Sequence, residues 1–203
     1  MLTLDHLAVA AATLNEGRIA VESALGVSLR QGGEHAYFGT HNLLLGLEDG
    51  LYLEVIAINP DAPSPPYARW FDLDRFEGAP RLSNWICRSG DLLPSVGHFS
   101  GAGTPVALER GSLRWQMAVP EDGVLPFDNM FPALMQWHGR EHPAQMLRPS
   151  GCRLQRLIVS HPQADELRDV MTPALQDTRV VYETGVIGLS AEIATPDGAT
   201  RLL

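Results

Sequence analysis

The chain has 203 residues, enough for one large domain or two small ones sharing a core. With 45% hydrophobic and 19% charged residues it reads as a packed globular protein rather than a disordered one. The formal net charge of -9, from 15 basic and 24 acidic side chains, argues against nucleic acid and anionic membrane surfaces as partners, because both need clustered Lys and Arg.

Two isolated cysteines, Cys87 and Cys152, make neither a disulfide framework nor a zinc knuckle. Cys87 lies in the apolar run Trp85-Ile86-Cys87 and reads as a small buried hydrophobe. Met1 to Val9 lacks a basic stretch followed by an apolar core, and no apolar run reaches the ~20 residues that span a bilayer. A cytoplasmic location is the expectation.

Leu2 to Val9 alternates and is rich in aliphatics, which predicts a strand. Thr13-Leu14-Asn15-Glu16 is a capping box, so a helix follows, carrying Leu14, Val21 and Leu25 on one face and stopping at Gly26. Gly32 to His35 reads as a loop. Tyr37-Phe38 and His41 to Leu47 come next, then the turn Glu48-Asp49-Gly50, then Leu51 to Ile58. An Asp-Gly pair between apolar runs predicts a hairpin.

Asn59 to Gly78, rich in proline, reads as a connector. The pattern then restarts. Leu82 to Arg88 is a strand, Asp91 caps a short helix to about His98, and Val106 to Glu109 and Ser112 to Val119 are strands. In the latter, Leu113, Trp115, Met117 and Val119 face one way. Pro132 to Trp137 is a short apolar strand. After Gly139 to Gly151 a shorter copy begins: Leu154 to Ser160, a helix near Ala164 to Met171, then Arg179 to Thr184 and Ile187 to Ala194, with a turn at Pro196-Asp197-Gly198. The expected fold class is α+β, built of repeated βαβββ modules: a first over residues 1–60, a connector over 61–80, a second over 81–138, a linker over 139–151 and a truncated third βαββ unit over 152–203.

Several strands place one polar residue on an apolar face. His6 alternates with Leu2, Leu4 and Ala8; Glu54 with Tyr52 and Ile56; Asn84 with Leu82 and Ile86, followed by Arg88; and Gln136 with Leu134. A buried carboxylate such as Glu54 needs a partner, a hydrogen bond or a cation. His6 precedes Thr13 by the same interval as Asn84 precedes Asp91, so the two modules set their polar groups at matching points.

Leu4-Asp5-His6-Leu7-Ala8-Val9 and Leu51-Tyr52-Leu53-Glu54-Val55-Ile56 resemble the first and fourth strands of vicinal-oxygen-chelate proteins. Gly32-Gly33-Glu34-His35, Gly39-Thr40-His41-Asn42, Leu134-Met135-Gln136-Trp137 and His142-Pro143-Ala144 together resemble the glyoxalase-like subfamily, over nearly the whole chain. The resemblance implies a U-shaped, barrel-like sheet and a divalent metal (Ni, Zn, Mn or Fe) held by one residue from each of four strands. Carried over by position, the ligands are His6, Glu54, Asn84 and Gln136. Asn84 and Gln136 depart from the usual His or Gln and Glu, and neutral amides hold a divalent ion more weakly. Homodimers are common in the superfamily, so the resemblance also implies one.

Three readings follow. One is a metal-assisted lyase, isomerase or ring-cleaving dioxygenase acting on a small oxygenated molecule, with Glu54 and His35 catalytic. The second is a metal-free binding protein using the same cavity through Arg88, His35, His41, Asn42, Tyr52, Trp85 and Trp137. In the third the cavity is closed by side chains and the module is structural. A pairing of Glu54 with Arg88 would leave a metal without a role. His98, His138, His142 and His161 show no ligand spacing.

Overall fold

A computed structural model describes residues 1–203. Eight strands form one mixed sheet that curls into a half-barrel. β1 (Leu2–Ala10), α1 (Leu14–Leu25), β2 (Arg30–His35), β3 (Thr40–Gly46) and β4 (Tyr52–Ile58) make the first half. β5 (Arg81–Ser89), α2 (Leu92–His98), β6 (Thr104–Arg110), β7 (Leu113–Val119) and β8 (Ala133–His138) make the second. The spatial order is β2-β3-β4-β1-β5-β8-β7-β6. Each half pairs its first strand with its last in parallel, and β1 joins β5 antiparallel at the centre.

The local chemistry explains these elements. The Thr13 hydroxyl accepts from the Glu16 N–H at 3.2 Å, starting α1. Gly17, Val21 and Leu25 on α1 are buried, and Gly17 faces Val55 on the outer face of the sheet. Asp49 and Gly50 both take left-handed backbone (φ 63 and 72), the turn that fits the right-handed strand twist between β3 and β4.

The sheet register corrects several expectations. β1 carries a bulge: Leu4 pairs with Cys87 and His6 with Ile86, so Asp5 is the extra residue. Leu2 and Leu4 therefore lie on the outer face, while His6 and Ala8 face inward with Ile86 and Asn84. β5 has a matching bulge, where Val9 pairs with Leu82 and Ala8 with Asn84, leaving Ser83 extra. Asp5-His6 and Ser83-Asn84 are thus related by the internal repeat. The segment from Gly32 to His35 is not a loop. It belongs to β2, irregular between Gln31 and Glu34, with His35 paired to Thr40.

After α3 (Pro143–Met146), a second sheet holds β9 (Arg153–Ser160), β10 (Val180–Glu183), β11 (Gly188–Ala194) and β12 (Thr200–Leu202), with α4 (Ala164–Met171) between β9 and β10. Its order is β10-β9-β11-β12. Here the first strand pairs in parallel with the strand directly after the helix, and antiparallel with the next. That differs from the two modules, whose first strand is parallel to their fourth. The two sheets share one continuous apolar core, in which Leu157, Leu167 and Ile193 join Leu7, Trp85 and Leu134. Both cysteines are free and buried. No helix is long and apolar enough to cross a membrane.

Candidate functional site

Inward-facing residues of both modules enclose a narrow cavity of about 20 Å³, room for about one water molecule. His6, Tyr52 and Glu54 reach it from β1 and β4, and His35 and Asn42 from β2 and β3. Arg110, Trp115, Met117, Met135 and Trp137 reach it from the second module. Trp70 and Phe71 close it from the 3-10 segment Trp70–Arg75 that lies within the connector. Only Arg110 and Trp137 among these retain partial exposure, so they mark its mouth.

A buried carboxylate organises the first strand. The bulge turns Asp5 inward beside His6, and its side chain is fully buried. Asp5 accepts from His6 Nδ1 at 2.7 Å, Arg88 Nη1 at 3.1 Å, Trp137 Nε1 at 3.1 Å and His142 Nε2 at 3.0 Å. Burial alone would raise its pKa, but the hydrogen bonds from His142 and His6 outweigh it and hold the carboxyl far below the usual range.

His6 lies between two carboxylates: Nδ1 on Asp5, and Nε2 3.6 Å from Glu54 Oε1. Burial disfavours its charged form, yet the hydrogen bond to Asp5 and the nearby Glu54 carboxylate win and its pKa is raised. Tyr52 stacks on the imidazole, with ring centroids 4.2 Å apart. Glu54 is pushed up by burial and down, by more, through His6; its Oε2 accepts from Asn42 Nδ2 at 2.7 Å.

Arg110 crosses from β6 to the opposite edge. Its Nη1 donates to His35 Nε2 and to Asn42 Oδ1, both at 3.1 Å. A guanidinium only donates, so His35 Nε2 accepts, and the ring proton sits on Nδ1 and is given to Thr40 Oγ1 at 3.0 Å. Burial lowers the His35 pKa to about 4, with Arg110 adding to the shift. The Gly32-Gly33 irregularity makes room for this bridge. A Cβ at Gly32 would lie 2.1 Å from Asn42 Oδ1, and one at Gly33 2.6 Å from Arg110 Cδ.

Of the expected site residues, His6, His35, Asn42, Tyr52, Glu54 and Trp137 converge on this cavity. Gln136 does not. Trp115 pairs with Trp137 and Met117 with Met135, so Gln136 projects outward. There its Oε1 accepts from Leu92 N at 2.9 Å and its Nε2 donates to Gly90 O at 3.1 Å, capping α2 in place of Asp91, whose side chain makes no cap bond. Trp85 also faces outward, donating to Met130 O at 2.9 Å and lying 6.4 Å from the Tyr182 ring. His41 pairs with Ala57 and Glu34 on the outer face. Arg88 bonds Asp5, not Glu54. Asn84 faces inward but lines a neighbouring cavity, across Phe71. Asp5, Arg110 and His142 escape sequence reasoning, because a bulge and long-range packing, not local pattern, bring them in.

The donor set differs from what the implied metal requires. Ala8 pairs with Glu54 in the first module; its counterpart Ile86 pairs with Ala133 in the second. Ala133 therefore stands at the position matching Glu54, and Asn84 at that matching His6. Gln136 is outside, and a guanidinium shares the cavity. Asp5, His6, His142 and Glu54 lie close together, but Asp5 is taken up by four donors and no group of three or more His, Cys, Asp or Glu side chains is arranged to hold a metal ion. The residues present do not fit a four-ligand metal centre.

Residues 4–175 match the model of the glyoxalase-like domain family, and the chain belongs to that family, within the vicinal-oxygen-chelate superfamily. A hypothetical protein from Staphylococcus aureus shares its fold with a TM-score of 0.60 at 13% identity, over 100% of this chain and 85% of that one. Methylmalonyl-CoA epimerases align more distantly. A variant of the Streptomyces coelicolor enzyme gives a TM-score of 0.44 at 16% identity, over 68% of this chain and 100% of its own. The Mycobacterium tuberculosis enzyme gives 0.43 at 19%, over 68% and 88%. No curated protein matches the sequence.

Proposed function

We propose that this protein binds a small, acidic, oxygenated molecule at the mouth of the cavity between its two modules, against Arg110 and Trp137, without a divalent metal; the enclosed space behind them holds only about one water molecule. The observation that carries this is Arg110: a guanidinium at the cavity mouth whose hydrogen-bond partners, His35 Nε2 and Asn42 Oδ1, are both neutral. An anion is the partner such a group lacks. His6 has its pKa raised but lies between Asp5 and Glu54, so any charge it gains is matched there, and Arg110 is left as the cation without a carboxylate partner. Trp137, tied to Asp5, offers a fixed wall for the body of the ligand.

In this reading His35 is a positioning residue. Its Nε2 lone pair is engaged by Arg110, so it orients the guanidinium rather than taking a proton from a substrate. A second reading, a metal-assisted lyase or isomerase, draws on one observation, the 3.6 Å approach of His6 and Glu54 in the same cavity.

Calorimetric titration with pyruvate, glyoxylate and malonate tests the proposal. Saturable binding is expected, weakened about 10- to 150-fold in Arg110→Met, which is the loss of one charged hydrogen bond. Equal affinity in wild type and R110M would refute it.

A further inference from the structure

A larger cavity, of about 270 Å³, lies on the other side of Phe71. Its floor is the start of β5, from Leu82 to Asn84, and the start of β11, with the residue before it, adds Ile187 and Leu189 to its wall. Asn84 is fully buried, and neither its Oδ1 nor its Nδ2 has a hydrogen-bond partner within the chain. Buried side-chain amides are nearly always bonded, so one with both ends unmet beside a cavity calls for an explanation.

The roof supplies part of it. Phe71 and Asp72 take left-handed backbone (φ 59 and 56), as do Phe127, Asp128 and Asn129 (φ 55, 52 and 69). Asp and Asn adopt that conformation readily, but Phe71 and Phe127 hold it only where their surroundings enforce it, and such strained residues gather at ligand clamps and switch segments. The two stretches are tied by Asn129 Nδ2 donating to Asp72 Oδ2 at 3.3 Å and by Asp72 N donating to Gly123 O at 3.0 Å. At the rim, Arg81 bonds only backbone carbonyls of Glu77 and Ala79 and covers the Phe76 ring at 4.3 Å.

We propose that this cavity is a second ligand site, separate from that of Arg110, and that it takes a small molecule with an apolar body and an amide-like edge. Such an edge, as in a carboxamide, a lactam or a nucleobase, sets a donor next to an acceptor. Asn84 Nδ2 donates to its carbonyl and Asn84 Oδ1 accepts from its N–H, the two-point pairing that carboxamides make with base edges. A carboxylate meets only the Nδ2 end, and a hydrocarbon neither. Asn84 is closed over, so the ligand edge reaches it by displacing Phe71, the strained residue shared by both cavities.

The test is titration with benzamide, uracil, benzoate and toluene, followed by amide chemical shifts, on wild type, Asn84→Leu and R110M, with thermal melts of all three. Benzamide and uracil should saturate, with shifts at Phe71, Leu82 to Asn84 and Asn129, at least ten-fold tighter than benzoate or toluene. N84L should lose that preference and yet melt above wild type, because an apolar side chain of similar size removes two unmet polar atoms. R110M should retain benzamide binding. A lower melting temperature for N84L, toluene binding as well as benzamide, no saturation by either amide probe, or loss of benzamide binding in R110M would each overturn the proposal.

Discussion

Asp5→Asn gives the sharpest view of how the cavity is held. The asparagine matches the aspartate in shape but carries no charge, and one of its two terminal atoms can only donate. Four donors converge on Asp5, so at least one of them faces an N–H instead of an oxygen. Removing one partner of a buried ion pair costs about 3–5 kcal/mol. The lower end applies here, because the Arg88 side chain is 38% exposed and recovers water when released. A loss of about 3 kcal/mol corresponds to a fall in Tm of about 6–12 °C for a chain of this size. Urea unfolding measures the first quantity and calorimetry the second. Imidazole NMR titration adds an independent readout. The bond to Asp5 helps raise the His6 pKa, so D5N should lower it. A variant that loses less than about 1 kcal/mol and leaves the His6 titration unmoved would refute the hub role of Asp5.

Two further outcomes follow from the same geometry. Gln136→Ala should cost about 0.5–2 kcal/mol, as loss of a helix cap does, while leaving binding of small acids unchanged; a drop in that binding in Q136A would place the side chain inside. His35 has a folded pKa of about 4, below its ordinary 6.5, so the unfolded chain takes up a proton that the folded chain refuses. Stability therefore falls as pH drops from about 6.5 to 4, by about 3 kcal/mol from this group, and His35→Gln should remove that part of the slope in urea unfolding measured across the range.

Much of the half-barrel was legible because its signals are local. The Thr13 cap, the Asp49-Gly50 turn and the repeated spacing of His6 and Asn84 from their helices each need only a few neighbouring residues. The first module's half of the site, His6 with Glu54, followed from alternation on β1 and β4. The second half was hidden for two physical reasons. A period of two makes inside and outside a matter of one residue, and nothing in Leu134-Met135-Gln136-Trp137 tells which pair turns inward. The answer came from pairing with β7, where Trp115 and Met117 face Trp137 and Met135. Bulges are equally silent: Asp5 sits at an outward position of an even strand and turns inward only because β1 has one residue more than β5 there. Gly32-Gly33 disguised β2 as a loop, although the absence of side chains is what admits Asn42 and Arg110.

The claim that Arg110, and not a metal ion, holds the ligand can be tested most directly by repeating the small-acid titration twice: on protein stripped with a chelator, and on the same protein with Ni, Zn, Mn or Fe restored. The affinity should be the same in both, and it should collapse in R110M whether or not metal is present. Binding that vanishes on stripping and returns with a stoichiometric ion would contradict the account.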